Sequence, residues 1–145
     1  MAFHIPPTAL VATLTGPYGE PYELLQQQVS PPEANEALVS LSFSGVCHGD
    51  VYSRDGGGPA APTPHRPLIG GHEGVGTIIA LGANAVISSS FRIGDLVGID
   101  WRTSVCGKCE PCLLGRENDC GEQVITGLHA FGTYQSAAPS VPFHL

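Results

Sequence analysis

The stretch from Cys106 to Cys120 constrains this chain more than any other, because it carries four of the five cysteines at the spacing Cys-x2-Cys-x2-Cys-x7-Cys: Cys106, Cys109, Cys112 and Cys120. Thiolates two residues apart reach one tetrahedral ion from a tight turn, and Gly107, Pro111 and Gly115 allow the backbone to fold round it. Disulfides among cysteines this close would close very small, strained loops, and nothing in the sequence points to secretion. The spacing therefore predicts a four-thiolate zinc site. Such a site is coordinatively closed, so its zinc holds a fold together and does no chemistry. Any reaction has to be sought elsewhere in the chain.

The fifth cysteine lies in Gly45-Val46-Cys47-His48-Gly49-Asp50, and a candidate partner follows in Gly70-Gly71-His72-Glu73-Gly74-Val75-Gly76. A single cysteine is most often a small buried hydrophobe, and a single His-Glu pair ordinary surface or core. With the four-cysteine cluster behind them, the two motifs together suggest a second metal. In this order the three motifs resemble those of the zinc-dependent alcohol dehydrogenases of the medium-chain dehydrogenase/reductase superfamily.

The resemblance implies a mainly β fold over residues 1–145. It would be a GroES-like, partly open β-barrel with few short helices and a four-cysteine zinc lobe projecting at about 101–122. It also implies a catalytic zinc held by Cys47 and His72. Glu73 would be an outer carboxylate or an exchanging ligand, and Asp50 would accept the other imidazole N–H of His72 and so fix its tautomer. The plain alternative for both acids is a surface charge. His48 resembles the family residue near the cofactor pyrophosphate and the proton path. Gly49 departs from the family, which carries there a Ser or Thr whose hydroxyl passes on the substrate proton. The family's third cysteine ligand also has no counterpart here. A catalytic zinc needs three protein groups and an open position, which makes Glu73 the candidate third ligand.

Composition narrows the remaining choices. A chain of 145 residues forms one domain with its own core, and 42% hydrophobic against 13% charged residues makes it globular. Six basic residues against 13 acidic ones leave no basic stripe for nucleic acid or for an anionic membrane surface. No Lys or Arg precedes Arg54, so the apolar stretch from Ala9 to Leu14 lacks the charged start of a signal peptide and is far too short to span a bilayer. The expected location is cytoplasmic, where reduced thiols suit zinc.

Nineteen glycines and 13 prolines argue for strands and turns rather than a helical bundle. Apolar or alternating runs predict strands at Leu10–Thr15, Tyr22–Val29, Ala37–Ser44, Gly74–Leu81 and Asp95–Asp100, the first two as a hairpin. A short helical turn is expected between Val46 and Arg54. Arg54 to Pro67 reads as a loop at the pocket mouth or as a solvated connector.

No Gly-x-Gly-x-x-Gly phosphate turn occurs, so the dinucleotide-binding domain for NAD or NADP is expected to be absent and a partner chain or missing domain to supply it. Three functions compete. The first is the catalytic domain of an alcohol dehydrogenase acting on a small alcohol or carbonyl substrate. The second is a free-standing non-redox zinc enzyme, a hydratase, lyase or isomerase, which Gly49 favours. The third is a zinc-stabilised protein-binding module, which an empty second site would favour.

Overall fold

The computed structural model of the protein describes residues 4–56, 67–88, 90–136 and 138–142. In chain order its strands are β1 (Thr8–Leu14), β2 (Glu23–Gln28), β3 (Glu36–Ser44), β4 (Leu68–Ile69), β5 (Gly74–Leu81), β6 (Leu96–Ile99), β7 (Arg102–Ser104), β8 (Val124–Ile125) and β9 (Ala138–Pro142). Three short helices accompany them, α1 (His48–Asp55), α2 (Ala83–Ser88) and α3 (Glu110–Leu113), with one 3-10 turn at Glu117–Asp119. The strands pair antiparallel in three sheets of order β2-β1-β4, β6-β5-β3-β9 and β7-β8. Among the described residues the fold is mainly β with few helices, and the sheets do not close into a barrel.

β1 and β2 form the expected hairpin, in register from Thr8 opposite Gln28 to Thr13 opposite Glu23. Alternation along β1 buries Ala9, Val11 and Thr13 and leaves Leu10 outward, the signature of a strand with one covered face. Ala9, Val11 and Ile69 form one core cluster, with Val29 and Tyr134 packed against it. The larger sheet has its own, of Ala37, Val39, Ile78 and Ile99. Each valine or isoleucine among them contributes about 1.5–3 kcal/mol on burial.

The pairing of β3 with β5 positions the functional motifs. Two irregularities in β3, at Leu38/Val39 and Leu41/Phe43, bend the strand, and its last residue Ser44 lies opposite Gly74, the first residue of β5. The chain leaving β3 and the chain entering β5 therefore meet at one edge of the sheet. Gly45 N–H donates to Glu73 O at 2.8 Å there, which sets the Cys47 and His72 motifs side by side.

Two features were not anticipated. Helix α2 has no acidic residue in its first turn and no basic one in its last; the Ala34 carbonyl accepts from Asn84 N–H and Ala85 N–H and caps it from a distant segment. Strands β7 and β8 close the base of the lobe by pairing Arg102 with Ile125 and Ser104 with Val124, so Arg102–Ser104 belongs to the base, whereas the expected lobe began at about 101. Residues 57–66, which make up most of the proposed pocket-mouth loop and include His65, lie outside the described residues.

Candidate metal centres

The lobe between β7 and β8 brings the four thiols together. Gly107 takes the turn after Cys106 at φ +68°, a left-handed conformation a side chain would resist, and α3 starts from Cys109 with Pro111 in its first turn. The 3-10 turn then delivers Cys120 into the interior. The sulfurs of Cys106, Cys109, Cys112 and Cys120 all lie within 4.8 Å of one another, with Cys109 to Cys112 at 3.4 Å and Cys106 to Cys112 at 4.0 Å. Four sulfurs ~2.3 Å from a central zinc would be ~3.8 Å apart, so the cage fits the ion. Backbone N–H groups of Lys108 and Cys109 hold the Cys106 thiol down at about 7, whereas partial burial pushes Cys112 up to about 12.

At the edge of the larger sheet, Cys47 caps α1. Its sulfur accepts from Gly49 N–H at 3.2 Å, and Asp50 returns the bond by accepting from Cys47 N–H at 3.0 Å on Oδ2, a reciprocal capping box. Asp50 is buried, and its Oδ1 accepts from Gly71 N–H at 3.2 Å and lies 3.5 Å from His72 Nδ1. The opposite ring nitrogen, Nε2, stands 3.2 Å from Cys47 Sγ. A zinc bridging sulfur and nitrogen at its usual bond lengths would hold them ~3.5 Å apart, so this pair also fits the ion. With Nδ1 facing a carboxylate, the tautomer that carries its proton on Nδ1 leaves Nε2 with a free lone pair for metal.

Ligand atoms of Cys47, Asp50 and His72 lie within 4.8 Å of one another. Asp50 nevertheless sits on the Nδ1 side of the ring with its oxygens engaged by backbone N–H groups. Glu73 stands on the metal side, half exposed, with Oε1 3.8 Å from His72 Nε2. His48 is not drawn in: it is exposed, and its ring meets that of Tyr52 edge-on at 4.5 Å. At Gly49 an added Cβ would come 3.2 Å from Cys47 Sγ and 3.3 Å from His72 Cε1, so any side chain there would touch both groups of the pair.

Two aromatic residues join the site that the sequence reading did not assign to it. Trp101 meets the His72 ring edge-on at 4.8 Å and, with Glu73, Val75 and Ile99, lines a cavity of about 510 Å³ beside it. Its position between β6 and β7 was the available signal, since a half-exposed tryptophan directly before the lobe has little reason to face solvent. Tyr134 lies on the other side, beneath Gly71. Burial raises its pKa first, and the Asp50 carboxylate that it faces raises it further.

The alcohol dehydrogenase GroES-like domain matches residues 33–141, a span that holds both clusters that could hold a metal. The chain belongs to this family. As a GroES-like domain of the alcohol dehydrogenase type it is 40% identical over 114 residues to alcohol dehydrogenase 2 of Emericella nidulans, covering 78% of this chain and 31% of that protein. It is 37% identical over 127 residues to an alcohol dehydrogenase of Schizosaccharomyces pombe, covering 88% of this chain and 34% of that one. Among solved structures it superposes on a cobalt- and zinc-bound thermostable alcohol dehydrogenase from Pyrobaculum aerophilum with a TM-score of 0.78, at 26% identity, covering 90% of this chain and 38% of that chain. The chain thus spans about a third of the length of the curated relatives it matches.

Proposed function

We propose that the chain is the catalytic, zinc-binding domain of an alcohol dehydrogenase that acts on a small alcohol or carbonyl substrate, with NAD or NADP bound on a dinucleotide-binding domain or partner chain. The observation that carries this reading is the approach of Cys47 Sγ to His72 Nε2 at 3.2 Å with Asp50 behind the ring. A zinc there would supply Lewis-acid polarisation of the substrate oxygen for hydride exchange with a nicotinamide. Cys47 and His72 present the ligand atoms, and Asp50 keeps the imidazole turned towards them. Glu73, next to His72 and half exposed with Oε1 3.8 Å from Nε2, is the third ligand we assign. Trp101 and Val75 form an apolar wall on which the carbon skeleton of a small alcohol can lie and from which water is displaced.

The lobe thiols would hold a second, structural zinc. All five cysteines are free, in keeping with a cytoplasmic protein whose thiols stay reduced for metal. No described helix is long and apolar enough to cross a membrane. Metal counting on the intact folded chain by native mass spectrometry is expected to give two zinc ions; one ion only would confine metal to the lobe and overturn the catalytic reading. Gly49 favours a second reading, a non-redox zinc hydratase, lyase or isomerase, and turnover of a carbonyl substrate without any nicotinamide would establish it.

A further inference from the structure

Gly45 stands between β3 and the Cys47 motif, and its backbone is held from two sides. Its N–H donates to Glu73 O at 2.8 Å, and its carbonyl accepts from Ser44 Oγ at 3.3 Å. Ser44 Oγ is in turn paired at 2.6 Å with Oγ1 of Thr133, a residue only 1% exposed. The backbone at Gly45 is thus fixed against the chain entering β5 and against the segment around Thr133.

Nothing in the conformation of this backbone calls for glycine. Its φ lies outside the left-handed region that a side chain resists, unlike that of Gly71 at +86°. What calls for glycine is the Glu73 side chain. A Cβ added to Gly45 would collide with Glu73 Oε2 and come within 3.0 Å of Glu73 Cβ and 3.2 Å of its Cδ. The carboxylate therefore folds back over residue 45 into space that alanine would fill. Seated there, the side chain is 48% exposed, and its other oxygen, Oε1, stands 3.8 Å from His72 Nε2. A long side chain this exposed has several rotamers open to it, and a seat for one oxygen narrows the choice.

We propose that Gly45 is a positioning residue: the side chain it lacks leaves the seat that holds the Glu73 carboxylate on the Nε2 side of His72. The inference rests on the reading of Glu73 as third ligand. It adds to that reading a residue which touches neither metal nor substrate and acts through one ligand alone. A carboxylate already turned to the metal side gives up less rotamer freedom on binding, and this preorganisation is what the seat contributes to affinity.

The test is Gly45→Ala in the full chain, which adds one methyl to a backbone whose dihedral angles accept it. In crystals of the metal-free variant the Glu73 carboxylate is expected out of its seat, with the backbone of residues 44–47 unmoved. Zinc affinity at the Cys47–His72 site, measured by chelator competition, is expected to fall by about 10-fold while lobe zinc is unchanged. In a Glu73→Ala background the same methyl should have no further effect, because no carboxylate is left to displace. A carboxylate that keeps its place in Gly45→Ala would overturn the proposal. So would affinity that Glu73→Ala lowers and Gly45→Ala does not, or an equal loss from the methyl in both backgrounds, which would trace the effect to the backbone. Should Gly45→Ala fail to fold, adding Glu73→Ala is expected to restore folding by removing the same contact, and a double variant that still fails to fold would overturn the proposal too. If Glu73→Ala alone keeps zinc at full affinity, the ligand reading fails separately, and the metal-free crystals still decide whether Gly45 seats the carboxylate.

Discussion

At the scale of single residues, Asp50 joins the fold to the site. It is the third residue of α1, where its carboxylate caps the helix, and its other oxygen reaches Gly71 and His72. Replacement by Asn leaves one carbonyl acceptor and points an amide N–H₂ at groups that are themselves donors. Asp50→Asn is therefore expected to weaken zinc binding at Cys47 and His72 by about 10- to 100-fold without disturbing lobe zinc. Loss of the cap adds about 1 kcal/mol of destabilisation, which for a chain of this size lowers the melting temperature by about 2–4 °C. Chelator competition and thermal unfolding read the two effects separately. Undiminished affinity would take Asp50 out of the site and leave it a helix cap. The motif resemblance singled out Asp50 in the sequence. Tyr134 was not singled out, because the segment Gly132–Gln135 reaches the site only by folding back onto Gly70 and Gly71, a contact no local pattern encodes.

At the scale of elements, the lobe is the part with least apolar burial to support it. Leu113 is 73% exposed and Leu114 61%, so among its described side chains Cys120 is the buried one and the other thiols are half-buried. Such a segment depends on its metal for order. Cys109→Ser is expected to remove one zinc equivalent, to render residues 105–123 sensitive to limited proteolysis, and to leave metal at Cys47 and His72 in place. Full metal content with unaltered protease resistance would contradict the closed four-thiolate site. Strands β1, β2, β3, β5 and β6 were legible to within about two residues, because alternation or β-branched runs and the turns at Gly16-Pro17 and Gly94 act locally. The two-residue strands β4 and β8 and helix α2 were not, since each depends on a partner far away in the chain.

At the scale of the whole molecule, two sheets and a lobe serve to bring Cys47, His72 and Trp101 to one edge, yet a hydride acceptor needs a surface of its own. Nicotinamide dinucleotides are held by a glycine turn at a helix N-terminus that cradles the pyrophosphate, and the sequence contains no Gly-x-Gly-x-x-Gly. α1 is the described helix nearest the site, but its N-terminus is already engaged. Gly49 N–H bonds the Cys47 sulfur, and Cys47 N–H, just ahead of it, bonds Asp50, which leaves little there for a phosphate. The wall beside His72 carries Glu73 and Asp100 and would repel one. The chain alone, loaded with zinc and supplied with NAD and a simple primary alcohol, is therefore expected to produce no NADH above the uncatalysed rate, followed by absorbance. Binding of alcohol without turnover should still be detectable with cobalt in place of zinc, because a ligand entering the Cys47–His72 site perturbs the metal's visible spectrum. A spectrum that responds to alcohol with no NADH would mean the site is assembled and only the dinucleotide surface is missing. Steady NADH production by this chain alone would mean that these sheets bind the cofactor themselves, and the division of labour between two domains would have to be abandoned.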